Sequence, residues 1–222
     1  MQKFDTPAAV SAVLAIPAGR IRVIAADRAD TTVEVRPADA SKGRDVKAAE
    51  QITVEYGGGV LRVAAAPAKN RILGATGSVE VTVQLPAGSR VEARADAAEF
   101  RGVGRLGDVV VEGGSGSVKL DEADSARLTG LDADITVGRL NGAGEISTQK
   151  GSVDITEAVR GALTLTTLLG DITVGASHGV SASLDAGTGL GRIDNALRNA
   201  DATPGLTIRA TTTQGDITAR SL

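Results

Sequence analysis

A twelve-residue pattern recurs seven times between residues 91 and 219, and it limits the possible folds more than any bulk property of the chain. Its clearest copies are residues 144–155, 163–174 and 208–219, and the others begin at Val91, Val109, Ala126 and Leu184. Successive starts lie 18, 17, 18, 19, 21 and 24 residues apart, a period that belongs to solenoids and arrays. The tenth position is Phe100, Val118, Ile135, Val153, Ile172, Ile193 and Ile217, apolar in every copy. The eleventh is Arg101, Lys119, Thr136, Asp154, Thr173, Asp194 and Thr218, polar in every copy. Neighbours therefore point to opposite faces, as in a strand with one side buried. The third position (Ala93, Val111, Leu128, Ile146, Leu165, Ala186, Ala210) is apolar and the fourth is polar or Gly, which places a second short strand ahead of the first.

A Gly-, Ser- or Asp-rich joint separates the two strands, as in residues 113–116 and 187–191. Such joints suit a coil's corners, because glycine adopts backbone angles closed to other residues. Each repeat then reads as one coil of a parallel β-solenoid, with equivalent strands about 4.8 Å apart and seven coils spanning roughly 30 Å. A β-sandwich also shows regularly spaced short strands, but nothing in it requires copies to align residue for residue. The tenth-position side chains Val118, Ile135, Val153, Ile172, Ile193 and Ile217 are expected to form one buried file.

Residues 1–85 lack the clean repeat and still alternate as strands at Ile21/Val23, Val33/Val35, Ile52/Val54, Leu61/Val63 and 79–85. Pro-Ala-Gly occurs at 17–19 and again at 86–88, and it reads both times as a turn between strands. The expectation is a β-rich N-terminal portion, residues 1–85, continuous with the solenoid repeats of residues 86–222 or capping them. Residues 8–16 are apolar but for Ser11 and run into a strand pattern, so they read as a strand and not as a signal peptide. Two charged joints, 37–50 and 64–77, read as solvated loops, the first with room for one or two helical turns. The last strand ends at Ala219, and a solenoid end exposes unpaired backbone groups. That end is expected to be covered by a second copy of the chain or by the loop 195–205.

Composition narrows the function. The chain has no Cys and one His, which removes disulfides, thiol nucleophiles and the usual Cys/His zinc sites. With 24 basic and 27 acidic residues there is no excess positive charge to attract nucleic acid. Phe4, Tyr56 and Phe100 are the whole aromatic inventory, too few for a stacking platform. No segment reaches the roughly 20 apolar residues of a membrane-spanning helix, and the expected location is cytoplasmic.

The residues at 17–23, 33–37, 85–88, 170–173 and 215–218 resemble the bacterial putative-adhesin β-strand-repeat family, the Toastrack domain, in the manner of its anchorless actinobacterial members. The resemblance covers almost the whole chain. It implies a parallel β-solenoid and no catalytic motif, and because many relatives sit beside membrane-stress modules of the phage-shock or Lia type, it implies sensing or scaffolding.

No catalytic, cofactor or metal residue is assigned. His178 reads as a surface loop residue, although Ser177 or Ser181 with Asp185 would supply the remaining members of a triad. Asp154 and Asp194 read as equivalent outward positions two coils apart with Thr173 between them, about 10 Å, near or past the wide limit for an inverting carboxylate pair. Residues 113–118 resemble a calcium nonapeptide, but Val118 stands where the ligand Asp belongs. Asp171 and Asp216 read as turn caps. The threonines at the fourth and fifth positions read as ordinary half-exposed strand residues and not as an ice-binding face. The functional expectation is a non-enzymatic scaffold or protein-binding module with cell-envelope or stress signalling as its setting; a surface adhesin and a carbohydrate-active β-helix enzyme are the alternatives.

Overall fold

The computed structural model describes residues 1–65, 77–199 and 203–222. The chain enters through β1 (Gln2–Asp5), the long β2 (Ser11–Ala26) and β3 (Asp30–Pro37), then a short helix α1 (Gly43–Glu50) and the hairpin of β4 (Ile52–Gly57) and β5 (Val60–Ala65). After β6 (Val79–Pro86) the solenoid runs through β7 (Arg90–Ser115), β8 (Val118–Thr129), β9 (Ile135–Leu140), β10 (Gly144–Lys150), β11 (Val153–Ala158), β12 (Gly161–Leu169), β13 (Ile172–Ala176), β14 (Ala182–Leu190), β15 (Ile193–Ala196), β16 (Leu206–Gln214) and β17 (Ile217–Ser221).

The fold is a parallel β-solenoid, and the twelve-residue copies stack in the register that their alignment predicts. At the tenth position Phe100 lies against Val118, Val118 against Ile135, Ile135 against Val153 and Val153 against Ile172. At the third, Val111 lies against Leu128, Leu128 against Ile146 and Ile146 against Leu165. These side chains are all at most 6 % exposed and form one continuous core between the two faces of a single wrapped sheet, here called the first sheet where the third positions stack and the second sheet where the tenth positions stack.

The order of the coils departs from the order of the sequence at both ends. β16 and β17, the last strands in the chain, pair with β12 and β13 on one side and with β14 and β15 on the other. The final coil of the sequence is therefore interposed, and residues 182–196 form the outermost coil. This corrects the expected file: Ile172 lies against Ile217 and Ile217 against Ile193, so Ile193 is the end member and is 46 % exposed. It also corrects the expectation that residues up to Ala219 form the exposed end. Loop lengths show how the chain reaches this arrangement. One step up the stack takes 17 to 19 residues, whereas the step past the vacant layer takes 21 and the return into it takes 24.

The N-terminal end does the same. β2 lies between β7 on one side and both β5 and β6 on the other. Of residues 8–16, read as a strand, those from Ser11 on open β2, with Ala12, Leu14 and Ile16 buried and Val10 buried just ahead of it. The second Pro-Ala-Gly is the β6–β7 turn, but the first is a corner within the single strand β2. Beyond β5 and β6 the pairing becomes antiparallel, with β4 on β5, β3 on β6 and β1 on β3. α1 packs on this cap, and its buried Asp45 accepts a hydrogen bond from the Ser78 backbone N–H at 3.0 Å. Residues 37–50 thus include a docked helix and are not wholly solvated. Lys69 and Arg71 of the second charged joint lie outside the described residues.

Corner chemistry explains why the coils keep close register. Gly151, Gly170, Gly215 and Gly191 hold φ between 128° and 157°, and a Cβ at any of them would fall within 2.2 Å of a carbonyl oxygen of the adjacent coil. Only glycine permits that approach. Beside them the fifth-position threonines turn inward: Thr148, Thr167 and Thr212 are at most 2 % exposed. Thr167 donates to the Gly151 carbonyl, Thr212 to that of Gly170 and Thr188 to that of Gly215, at 2.9 to 3.0 Å. Thr148, Thr167 and Thr212 are therefore internal, contrary to the half-exposed reading, because the hydroxyl of each satisfies a corner carbonyl, while Thr188 in the outermost coil is half-buried.

Candidate functional site

Alternation that buries one side of each strand leaves the other side as a ladder of outward residues spaced at the strand separation. On the first sheet, positions just before and within each copy place Arg90, Glu92, Arg94, Asp108, Glu112, Arg127 and Glu145 around a shallow hollow of about 700 Å³ that spans five coils. Val110 and Thr164 contribute to its floor. Arg94 bridges Glu92 at 3.4 Å and Glu112 at 3.0 Å, Arg127 pairs with Glu145 at 3.1 Å, and Ser125 donates to Asp108 at 2.6 Å. The Arg94, Glu112, Arg127 and Glu145 side chains remain 54–68 % exposed. Pairs this wet contribute little to stability, about 0–1 kcal/mol each. Their effect is to fix where each charge sits on a rigid sheet.

Arg94 and Glu112 belong to the polar fourth position of the repeat, whereas Arg127 and Glu145 stand at the second, a column that also holds Glu92, Val110 and Thr164, followed by Arg209 and Asp185 of the last two layers, and to which the sequence pattern gave no role. Arg209 and Asp185 pair at 3.1 Å. The alternation of sign along that column was legible, since Arg127 precedes Glu145 at the same position of consecutive copies.

The residues weighed for catalysis do not assemble. Ser177 donates to Glu157 at 2.6 Å, Ser181 to Asn199 at 2.8 Å, and Asp185 accepts from Arg209, so the would-be triad has three separate sets of partners. His178 is exposed in a turn. The Ser177 hydroxyl, followed by the Arg139 charge, holds the Glu157 carboxyl below the usual carboxylate range. Asp154 lies against Thr173, Thr173 against Thr218 and Thr218 against Asp194. Two threonines, not one, therefore separate the carboxylates, by about 14 Å, which is too far for a glycosidase pair. Asp171 and Asp216 do bond backbone amides, but those of the adjacent layer: Asp171 accepts from the Asp216 N–H at 2.7 Å, and Asp216 from that of Arg192 at 2.8 Å. Among the described residues no group of three or more His, Asp or Glu is placed to hold a metal ion, and no helix is long and apolar enough to cross a membrane.

No protein-family model matches the chain, and no curated protein does. Solved structures do match along nearly the full length. A "putative adhesin" from Bacteroides fragilis is 14 % identical, with 98 % of this chain and 95 % of that one covered and a TM-score of 0.47. A "putative adhesin" from Parabacteroides distasonis is 15 % identical over the same shares, also at 0.47. A "putative cell adhesion protein" from Clostridium sporogenes is 11 % identical, with 100 % and 98 % covered and a TM-score of 0.36.

Proposed function

We propose that this protein is a rigid, non-enzymatic binding scaffold that presents the charged hollow of the first sheet to a protein partner. The carrying observation is the fixed pattern of charge around that hollow, with Arg94, Glu112, Arg127 and Glu145 exposed and held by one another across successive coils. Charges set in this way guide orientation and exclude wrong partners more than they add affinity. A partner surface with charges repeating every one or two strand spacings fits it. The wide separation of Asp154 and Asp194 and the divergent partners of Ser177, Ser181 and Asp185 favour binding over hydrolysis. A role in envelope or stress signalling is the setting proposed for this scaffold.

Affinity capture with three baits tests the reading: the native chain, the double reversal Arg94→Glu/Arg127→Glu, and Lys119→Glu on the other sheet. A partner held by the native chain and by Lys119→Glu but lost from the double reversal is the expected result. Capture indifferent to Arg94 and Arg127, or turnover of a glycan by the native chain, overturns it.

A further inference from the structure

The two ends of the solenoid are finished differently. At the N-terminal end the parallel ladder gives way to β3 and β4 in antiparallel pairing, with α1 packed alongside. At the other end, among the described residues, β14 and β15 each pair with a strand on one side only, β16 and β17; the Ala182 N–H at the start of β14 donates to the Arg198 carbonyl, and beyond it the end layer leaves Leu190 69 % and Ile193 46 % exposed. An unpaired strand edge beside exposed apolar side chains is a template for another strand.

We propose that this edge docks a second copy of the chain, tail to tail, across a two-fold axis through Ala186. Ala186 is the midpoint of the nine-residue β14. Antiparallel pairing of β14 with its twin about that point sets Leu184 opposite Thr188, Ser183 opposite Gly189 and Asp185 opposite Gly187. No like charges meet, and the Asp185 carboxylate faces a residue without a side chain. The exposed Ile193 of β15 lies in the same end layer, beside this seam. The N-terminal end turns antiparallel at β3 and β4 and carries α1, so it does not continue the parallel register that head-to-tail stacking on β14 and β15 needs, and the assembly closes at two. The two charged hollows then lie on one continuous rod.

Sedimentation of the full chain and cysteine cross-linking test this directly, since the chain contains no native Cys. The native protein is expected to be dimeric at about 100 μM, where even a weak dimer is populated. Directly opposed residues lie about 5 Å apart, so Ala186→Cys is expected to form a reducible dimer on mild oxidation. Ser183→Cys, whose twin is about 20 Å away, is expected to stay monomeric on the gel. A Cβ at Gly187 meets nothing within 4 Å in the single chain. Gly187→Glu, facing Asp185 of the other copy, should raise the dissociation constant at least tenfold at low salt, and Gly187→Lys should not, with both keeping the native circular dichroism spectrum. A native monomer at that concentration, a dimer in which Ala186→Cys fails to cross-link, or equal effects of the Glu and Lys variants would each overturn the proposal.

Discussion

Single residues set the corners and the local charge balance. Gly170 holds φ near 153°, and a Cβ there would lie 2.1 Å from the Gly151 carbonyl oxygen. Gly170→Ala is therefore expected to cost about 3 kcal/mol, from backbone strain and the displaced coil together, read as a lower denaturant midpoint. Gly113 is the contrasting case. A Cβ at Gly113 meets nothing closer than 3.7 Å, and the residue borders a void of about 20 Å³ lined also by Ala95, Phe100, Val118 and Gly130. Gly113→Ala should stabilise by about 0.5–1 kcal/mol through lower unfolded-chain entropy and better packing. At the N-terminal cap, the Arg28 guanidinium and then Lys3 hold the Asp30 carboxyl at about 2, below its ordinary 3.8. A depressed carboxylate stabilises the folded state above its ordinary pKa and loses that contribution as pH falls through the folded value. Attachment of β1 to β3 should hence weaken between pH 3.8 and about 2, and NMR titration of Asp30 with exchange at Phe4 measures it. A midpoint at 3.8 would show that the ion pairs do not persist in solution.

At the scale of elements, identical sequence positions differ in energy according to their layer. Ile172 is fully buried between Val153 and Ile217, while Ile193 has a neighbour on one side only. Ile172→Ala is expected to cost about 2–5 kcal/mol and Ile193→Ala below about 1 kcal/mol in the monomer, a contrast that denaturant unfolding at low concentration resolves. The alternation of each strand was readable because burial of one face imposes a period of two on the residues themselves. The inward turn of Thr148, Thr167 and Thr212 was not, because Thr suits either face of a strand. Only the nearby corner carbonyls decide which side its hydroxyl serves. The charges of the hollow stand at the second and fourth positions of the copies and just before them, yet the face of a sheet that becomes a hollow depends on how five coils curve together.

For the whole molecule, interposing the last coil means that the C-terminal residues hold together layers they follow in the sequence. A chain ending after residue 205 loses the rung between β12/β13 and β14/β15. Hydrogen exchange in that truncated chain is expected to lose protection across residues 182–196 as well as show new exposure at β12 and β13. Retained protection at β14 would mean that it had restacked directly on β12.

The amino-acid sequence by itself determined the strand period, the register of one copy on the next and the glycine corners, because each follows from side chains and backbone angles acting within a few residues. Only the tertiary structure decided the order of the layers at either end, the exposure of Ile193 in place of Ile217, and the face on which the charges gather. Copies with the same pattern stack in any order with nearly the same local fit, so the choice among orders rests on contacts between segments far apart in the chain.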